Sequence, residues 1–163
     1  MLIRLFRHLA ADLSVRRCFP RAVLKAIESA VGEQEKRHSG QLRFAIEGGL
    51  PAANLLRGGP ARERAIEVFA RLGVWDTEHN GGVLLYVLLG DRAVEIVADR
   101  GIQARVGQDE WEAICREMQA EFAKGAFERG SLAGIRRVGD LLAAHFPART
   151  AQRNELPDKP ALL

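Results

Sequence analysis

The hydrophobic positions of this 163-residue chain alternate between a helical repeat and short apolar runs, and each switch marks an element. Leu2, Leu5, Phe6, Leu9 and Leu13 gather on one side of a basic amphipathic helix within an N-terminal segment, residues 1–19. Pro20 opens a second helix whose stripe is Val23, Leu24, Ile27, Ala30 and Val31, ending near Ser39-Gly40. "QLRFAIE" (41–47) then alternates with period two and predicts a strand. A loop over 48–60, with a helical turn near 52–56, leads into a helix over 61–75 on Ala65, Ile66, Phe69 and Leu72. Val83–Leu89 does not alternate, which predicts a strand buried on both faces. Gly90-Asp91-Arg92 turns the chain into an antiparallel partner over 93–98. Two further helices follow, from Gln108 on Trp111, Ile114, Cys115, Met118 and Phe122, and up to His145 on Leu132, Ile135, Val138 and Leu142. The Pro-containing tail, 148–163, reads as irregular, so the α/β domain runs over 20–147. Strands separated by a helix favour a parallel pair and the hairpin adds an antiparallel one. The fold class is therefore an α/β three-layer sandwich, a central mixed β-sheet with helices on both faces.

This arrangement sorts the polar residues. Asp99 ends the return strand and so lies beside the start of the strand from Val83, near Asp76, His79 and Asn80; the helix start at Asp109 is expected close by. Asp91 falls at the opposite end, together with Glu47. Asp76, His79, Asn80, Asp99 and Asp109 are the candidate metal residues, because calcium and magnesium take oxygen ligands from carboxylates, amides and carbonyls. Simpler roles suit the same residues: Asp76 and Asn80 as turn formers, Asp109 as a helix cap, Asp99 and Arg100 as a solvated pair, and His79 as a loop hydrogen-bonding residue. The cofactor expectation is calcium or magnesium at this end, or none.

Net charge is +3, carried mostly by arginine. Without a zinc knuckle, a stacking motif or a dense basic block, nucleic acid is not the expected partner. Arg4, Arg7, Arg16 and Arg17 allow peripheral contact with an anionic membrane, and the basic N-terminal helix and the tail are candidate segments for docking a protein or envelope partner. No apolar run is long enough to span a bilayer and no secretory signal is evident, which predicts a cytoplasmic protein. Cys18 and Cys115 have no metal-like spacing and read as reduced structural thiols. No G-x-S-x-G, P-loop or dinucleotide fingerprint is present.

"NGGVLLYVLLGDRAVEI", "RGIQARVG" and "FAKGAFERGSLAGI" give the chain a resemblance to the TPM domain family over about residues 22–136, and "ARERAIEVFARLGVWDTEHN" suggests a soluble bacterial branch. The family includes a thylakoid-lumen acid phosphatase. The resemblance implies a sheet sandwiched between helices, calcium or magnesium binding in some members and phosphatase activity in a few. The family's "D-N-G" and "G-x-G-L-E-G-x-L-x-D" motifs, laid on this chain without gaps, place an Asp on Asn80, a Gly on Asp99, a Glu on Gln103 and an Asp on Gln108. Three carboxylates are thus replaced by neutral amides, and each replacement removes a negative charge on which metal affinity depends. The expected function is a non-catalytic TPM-like binding or assembly domain with a weakened divalent-metal site. The alternatives are a metal-dependent acid phosphatase acting on phosphomonoesters, and peripheral binding to an anionic membrane surface.

Overall fold

The computed structural model describes residues 8, 11, 13–148 and 153–163. Most of the expected N-terminal helix, with Arg4 and Arg7, lies outside the described residues; residues 13–18 are helical. The chain continues through α1 (Arg21–Glu35), β1 (Gln41–Glu47), α2 (Ala52–Arg57), α3 (Ala61–Arg71), β2 (Gly82–Leu88), β3 (Ala93–Ala98), α4 (Arg100–Gln103), α5 (Gln108–Ala123), α6 (Phe127–His145) and β4 (Ala161–Leu162). The four strands form one sheet in the order β3-β2-β1-β4. β1 runs parallel to β2 from Gln41↔Gly82 to Glu47↔Leu88, and β2 runs antiparallel to β3 from Val83↔Ala98 to Leu88↔Ala93. The α/β sandwich with a mixed sheet is the fold observed.

The non-alternating run acquires its physical meaning here. Val83, Leu85 and Val87 face one core with Leu42, Phe44 and Ile46, under α1, α5 and α6. Leu84, Tyr86 and Leu88 face a second core with Ala45, under α3. On the first face, Ile27, Val31, Ile114, Ile135, Val138 and Leu142 are fully buried and follow the predicted helical stripes. A buried aliphatic side chain contributes about 1.5–3 kcal/mol, so these two layers dominate the stability of the domain.

α3 departs from its expected stripe. Ile66 is half exposed, and Arg64 turns toward the sheet with Ala65 and Val68. The reason is Glu47, which closes β1 with only 2% of its surface exposed. The Arg64 guanidinium donates from Nε (2.9 Å) and Nη2 (2.7 Å) to its two carboxylate oxygens, and the Tyr86 hydroxyl donates to Oε2 at 2.5 Å. The hydrogen bond to Glu47 raises the Arg64 pKa, while burial and then the same carboxylate raise that of Tyr86. A buried carboxylate is tolerated only when paired in this way.

The tail is more ordered than its composition suggests. After an irregular stretch, Ala161–Leu162 pairs with Ala45–Ile46 and adds a parallel edge strand. Gln41 accepts from the Glu155 and Leu156 amides at 2.9 and 3.0 Å, and Arg43 donates to the Pro157 carbonyl at 2.5 Å and to that of Lys159. The same tail brings Asp158 against Glu35. α1 therefore ends at Glu35, earlier than the expected Ser39-Gly40 cap, because the Glu35 side chain is buried and accepts from the Leu42 amide at 3.1 Å. Burial, with Asp158 adding to it, raises the Glu35 pKa to about 8.

Two outcomes follow. Replacing Arg64 with Ala strands the Glu47 carboxylate and should lower the unfolding free energy by about 3–5 kcal/mol in urea denaturation; a loss below about 1 kcal/mol would contradict the role assigned to the pair. Glu35 keeps a proton in the folded state that the unfolded chain releases, so its contribution declines as pH rises from 4.5 through about 8. Glu35→Gln should therefore match the wild type near pH 5 and exceed its stability near pH 8.5 by on the order of 2 kcal/mol.

Candidate functional site

The end of the sheet where β1 and β2 begin and β3 finishes collects the polar loops. The hairpin register joins Val83 to Ala98, and the Asp99 amide continues the ladder by donating to the Gly82 carbonyl at 2.8 Å. Asn80 sits in the left-handed region (φ 50°), a conformation asparagine accepts better than most residues. It meets Gly101 so closely that a Cβ on Gly101 would fall 2.5 Å from the Asn80 carbonyl oxygen. Asn80 and the Asp99–Gly101 corner are thus brought together, as the sequence predicts.

The other candidates are not drawn into the same cluster. Asp76 is exposed, and its amide donates to the Gly73 carbonyl at 3.0 Å within a turn. His79 has Nε2 at 4.0 Å from the exposed Glu78 carboxylate. Asp109 lies exposed in the first turn of α5, a position that complements the helix dipole. The cap residue of α5 is Gly107. Among the described residues, no three His, Cys, Asp or Glu side chains converge as a metal-binding group.

Asp99 instead serves local structure. It is the N-cap of α4, a one-turn helix absent from the sequence-based expectation, and Oδ1 accepts from the Arg100 amide at 2.7 Å. Its Oδ2 is buried and has no hydrogen-bond partner among the described residues. On the surface beside this end, Gln103 Nε2 donates to Gln108 Oε1 at 3.4 Å. Gln108 Nε2 in turn donates to Glu112 at 3.2 Å. Two amides carry both donors and acceptors and can satisfy one another without a counter-charge.

The flanking arginines are partly committed. Arg105 lies over the Phe146 ring at 4.8 Å and donates to the His145 carbonyl at 2.7 Å. His38, which spacing did not single out, is fully buried at this end and joins Pro147 in a β-bridge. Its Nδ1 lies 3.0 Å from the Gly40 carbonyl, and burial lowers its pKa, so the imidazole is neutral at pH 7 and donates from Nδ1. The signal that could have found it is its place one residue before the Ser39-Gly40 turn, where the chain must pass beneath α6. Neither cysteine is activated as a nucleophile: burial raises the Cys18 thiol and pushes Cys115 up to about 12.

The model of the TPM domain family matches residues 17–141, and the chain belongs to that family. No curated protein matches it. Among solved structures, it is similar to the BA42 protein of the psychrophilic bacterium Bizionia argentinensis, determined by NMR, at 31% identity over 87% of this chain and 93% of that one, with a TM-score of 0.74. It also shares its fold with the N-terminal domain of a P. gingivalis protein, at 17% identity over 79% of this chain and 81% of that one, with a TM-score of 0.62.

Proposed function

We propose that the chain is a non-catalytic TPM-type binding or assembly domain in which the end of the sheet around Asn80 and Asp99 keeps at most a weakened divalent-cation site. The observation that carries this reading is the direct Gln103–Gln108 contact, which fills with neutral hydrogen-bonding groups the positions where the family has acids. The capping role of Asp99 supports it further, since it ties up a buried carboxylate at this end and leaves little charge for calcium or magnesium. Of the two segments expected to dock a protein or envelope partner, the tail lies along the chain's own β1, so the expectation falls on the basic N-terminal segment, where Arg16 and Arg17 are exposed.

The alternative, a metal-dependent phosphatase acting on phosphomonoesters through Asp76, His79, Asn80 and Asp99, draws on one feature, the buried Asp99 Oδ2 without a hydrogen-bond partner. A cation there would satisfy it. No helix among the described residues is long and apolar enough to cross a membrane.

Turnover of a generic phosphomonoester with calcium or magnesium should stay at the no-protein level. The double variant Gln103→Glu/Gln108→Asp, which restores two charges, should bind calcium at least roughly tenfold more tightly than the wild type by isothermal titration calorimetry. Metal-stimulated turnover by the wild type that disappears in Asp99→Ala would overturn the proposal in favour of the phosphatase.

A further inference from the structure

At the opposite end of the sheet, beyond the last residues of β2, lies a cavity of about 1250 Å³. It is roomy beside the roughly 300–1,000 Å³ usual for small-molecule sites. One wall is apolar: Phe122 and Phe127 stack with ring centroids 5.1 Å apart, and Val87 and Leu132 continue the surface. The charged part of the described lining is mostly arginine. Arg17, Arg92, Arg129 and Arg136 line the cavity, and Glu128 is the only acid among its described lining residues. Arg129 is held by Glu121, but among the described residues no carboxylate pairs with Arg17, Arg92 or Arg136.

Arg92 carries a second signal. Its φ is 54°, in the left-handed region that favours glycine or asparagine. Holding an arginine there costs backbone strain, and a turn between β2 and β3 would form more easily with glycine. The side chain that incurs this cost lines the cavity. The neighbouring Gly90 is needed for another reason. A Cβ there would fall 2.3 Å from the buried His8 ring, which accepts from the Leu50 amide at 2.9 Å and lies 3.0 Å from Asp91. The turn is thus fixed on one side by His8 while Arg92 is presented on the other.

We propose that this cavity binds an amphiphilic anion, a phosphate or carboxylate head held by Arg17, Arg92 and Arg136 with a hydrocarbon body against Phe122 and Phe127. Unpaired guanidinium groups match an oxyanion head in charge and geometry. An apolar wall of this extent has no use in binding inorganic phosphate alone. The site is remote from Asn80 and Asp99 and does not depend on any metal there.

The test is isothermal titration calorimetry with decyl phosphate below its micelle concentration. Saturable one-to-one binding is expected, weakened at least roughly tenfold in Arg92→Gly/Arg136→Gln and unchanged in Arg100→Gln at the other end. Arg92→Gly removes the side chain and relieves the backbone, so the variant should fold, which its urea midpoint verifies. Inorganic phosphate and decanol should each bind at least roughly tenfold more weakly than decyl phosphate. As a readout independent of variants, decyl phosphate should slow alkylation of Cys18, which lines the cavity, and leave Cys115 unaffected. The proposal fails if decyl phosphate does not saturate, if the double variant binds as well as the wild type, or if inorganic phosphate binds equally, which would mean an adventitious ion only. It fails equally if the protein sediments with anionic phosphatidylserine vesicles but binds no monomeric decyl phosphate, which would assign the arginines to a membrane surface.

Discussion

A sheet covered on both faces must pair any polar side chain that it buries, and much else in this structure follows from that constraint. β2 is buried at every position from Gly82 to Leu88. Glu47 shows what such pairing requires. Its carboxylate requires a bidentate guanidinium from α3 and a hydroxyl from the neighbouring strand, and it reorients α3 so that Arg64 faces inward and Ile66 outward. The pair contributes less by net attraction than by the penalty for breaking it, which makes it a fixed point between α3 and the sheet.

With the faces closed, the two ends diverge. At one end the loops are occupied with structure: Asp99 caps α4, Gln103 and Gln108 satisfy each other, and Arg105 covers Phe146. At the other, the β2–β3 turn presents an arginine from an unfavourable backbone conformation beside three further arginines and a pair of stacked phenylalanines. Backbone strain is a feature that folding alone does not favour, and here it coincides with a cluster of like charges at one cavity.

The two-sided strand, the hairpin, the parallel partner and the main helical stripes were legible in the sequence because they depend on local periodicity and on the geometry of a tight turn. The meeting of Asn80 with Asp99 was legible for the same reason, as a consequence of hairpin register. What escaped were features set by distant partners. Nothing near Ala161 announces a strand, because its pairing depends on β1, more than a hundred residues away, and on Gln41 and Arg43 holding the tail. Glu35 stands one step beyond Val31 on the helical stripe, but the contacts that hold its carboxyl there come from Leu42 and Asp158, which no local pattern announces. Ile66 fits the α3 stripe better than Arg64 unless the buried Glu47 is known. The arginine cavity was illegible for the same reason, since it assembles residues from the N-terminal helical segment, the hairpin turn and α6.

The central claim is that this TPM domain meets its ligand at the arginine end of the sheet and not at the end around Asn80 and Asp99. Backbone amide chemical shifts, recorded on one sample through successive additions of calcium and decyl phosphate, report on both ends at once. The account predicts saturable decyl phosphate shifts at residues 87–93 and 122–136, with only weak, unsaturated calcium shifts at 76–82 and 99–109. Saturable calcium shifts in those latter loops, with residues 87–93 and 122–136 unmoved by decyl phosphate, would contradict it.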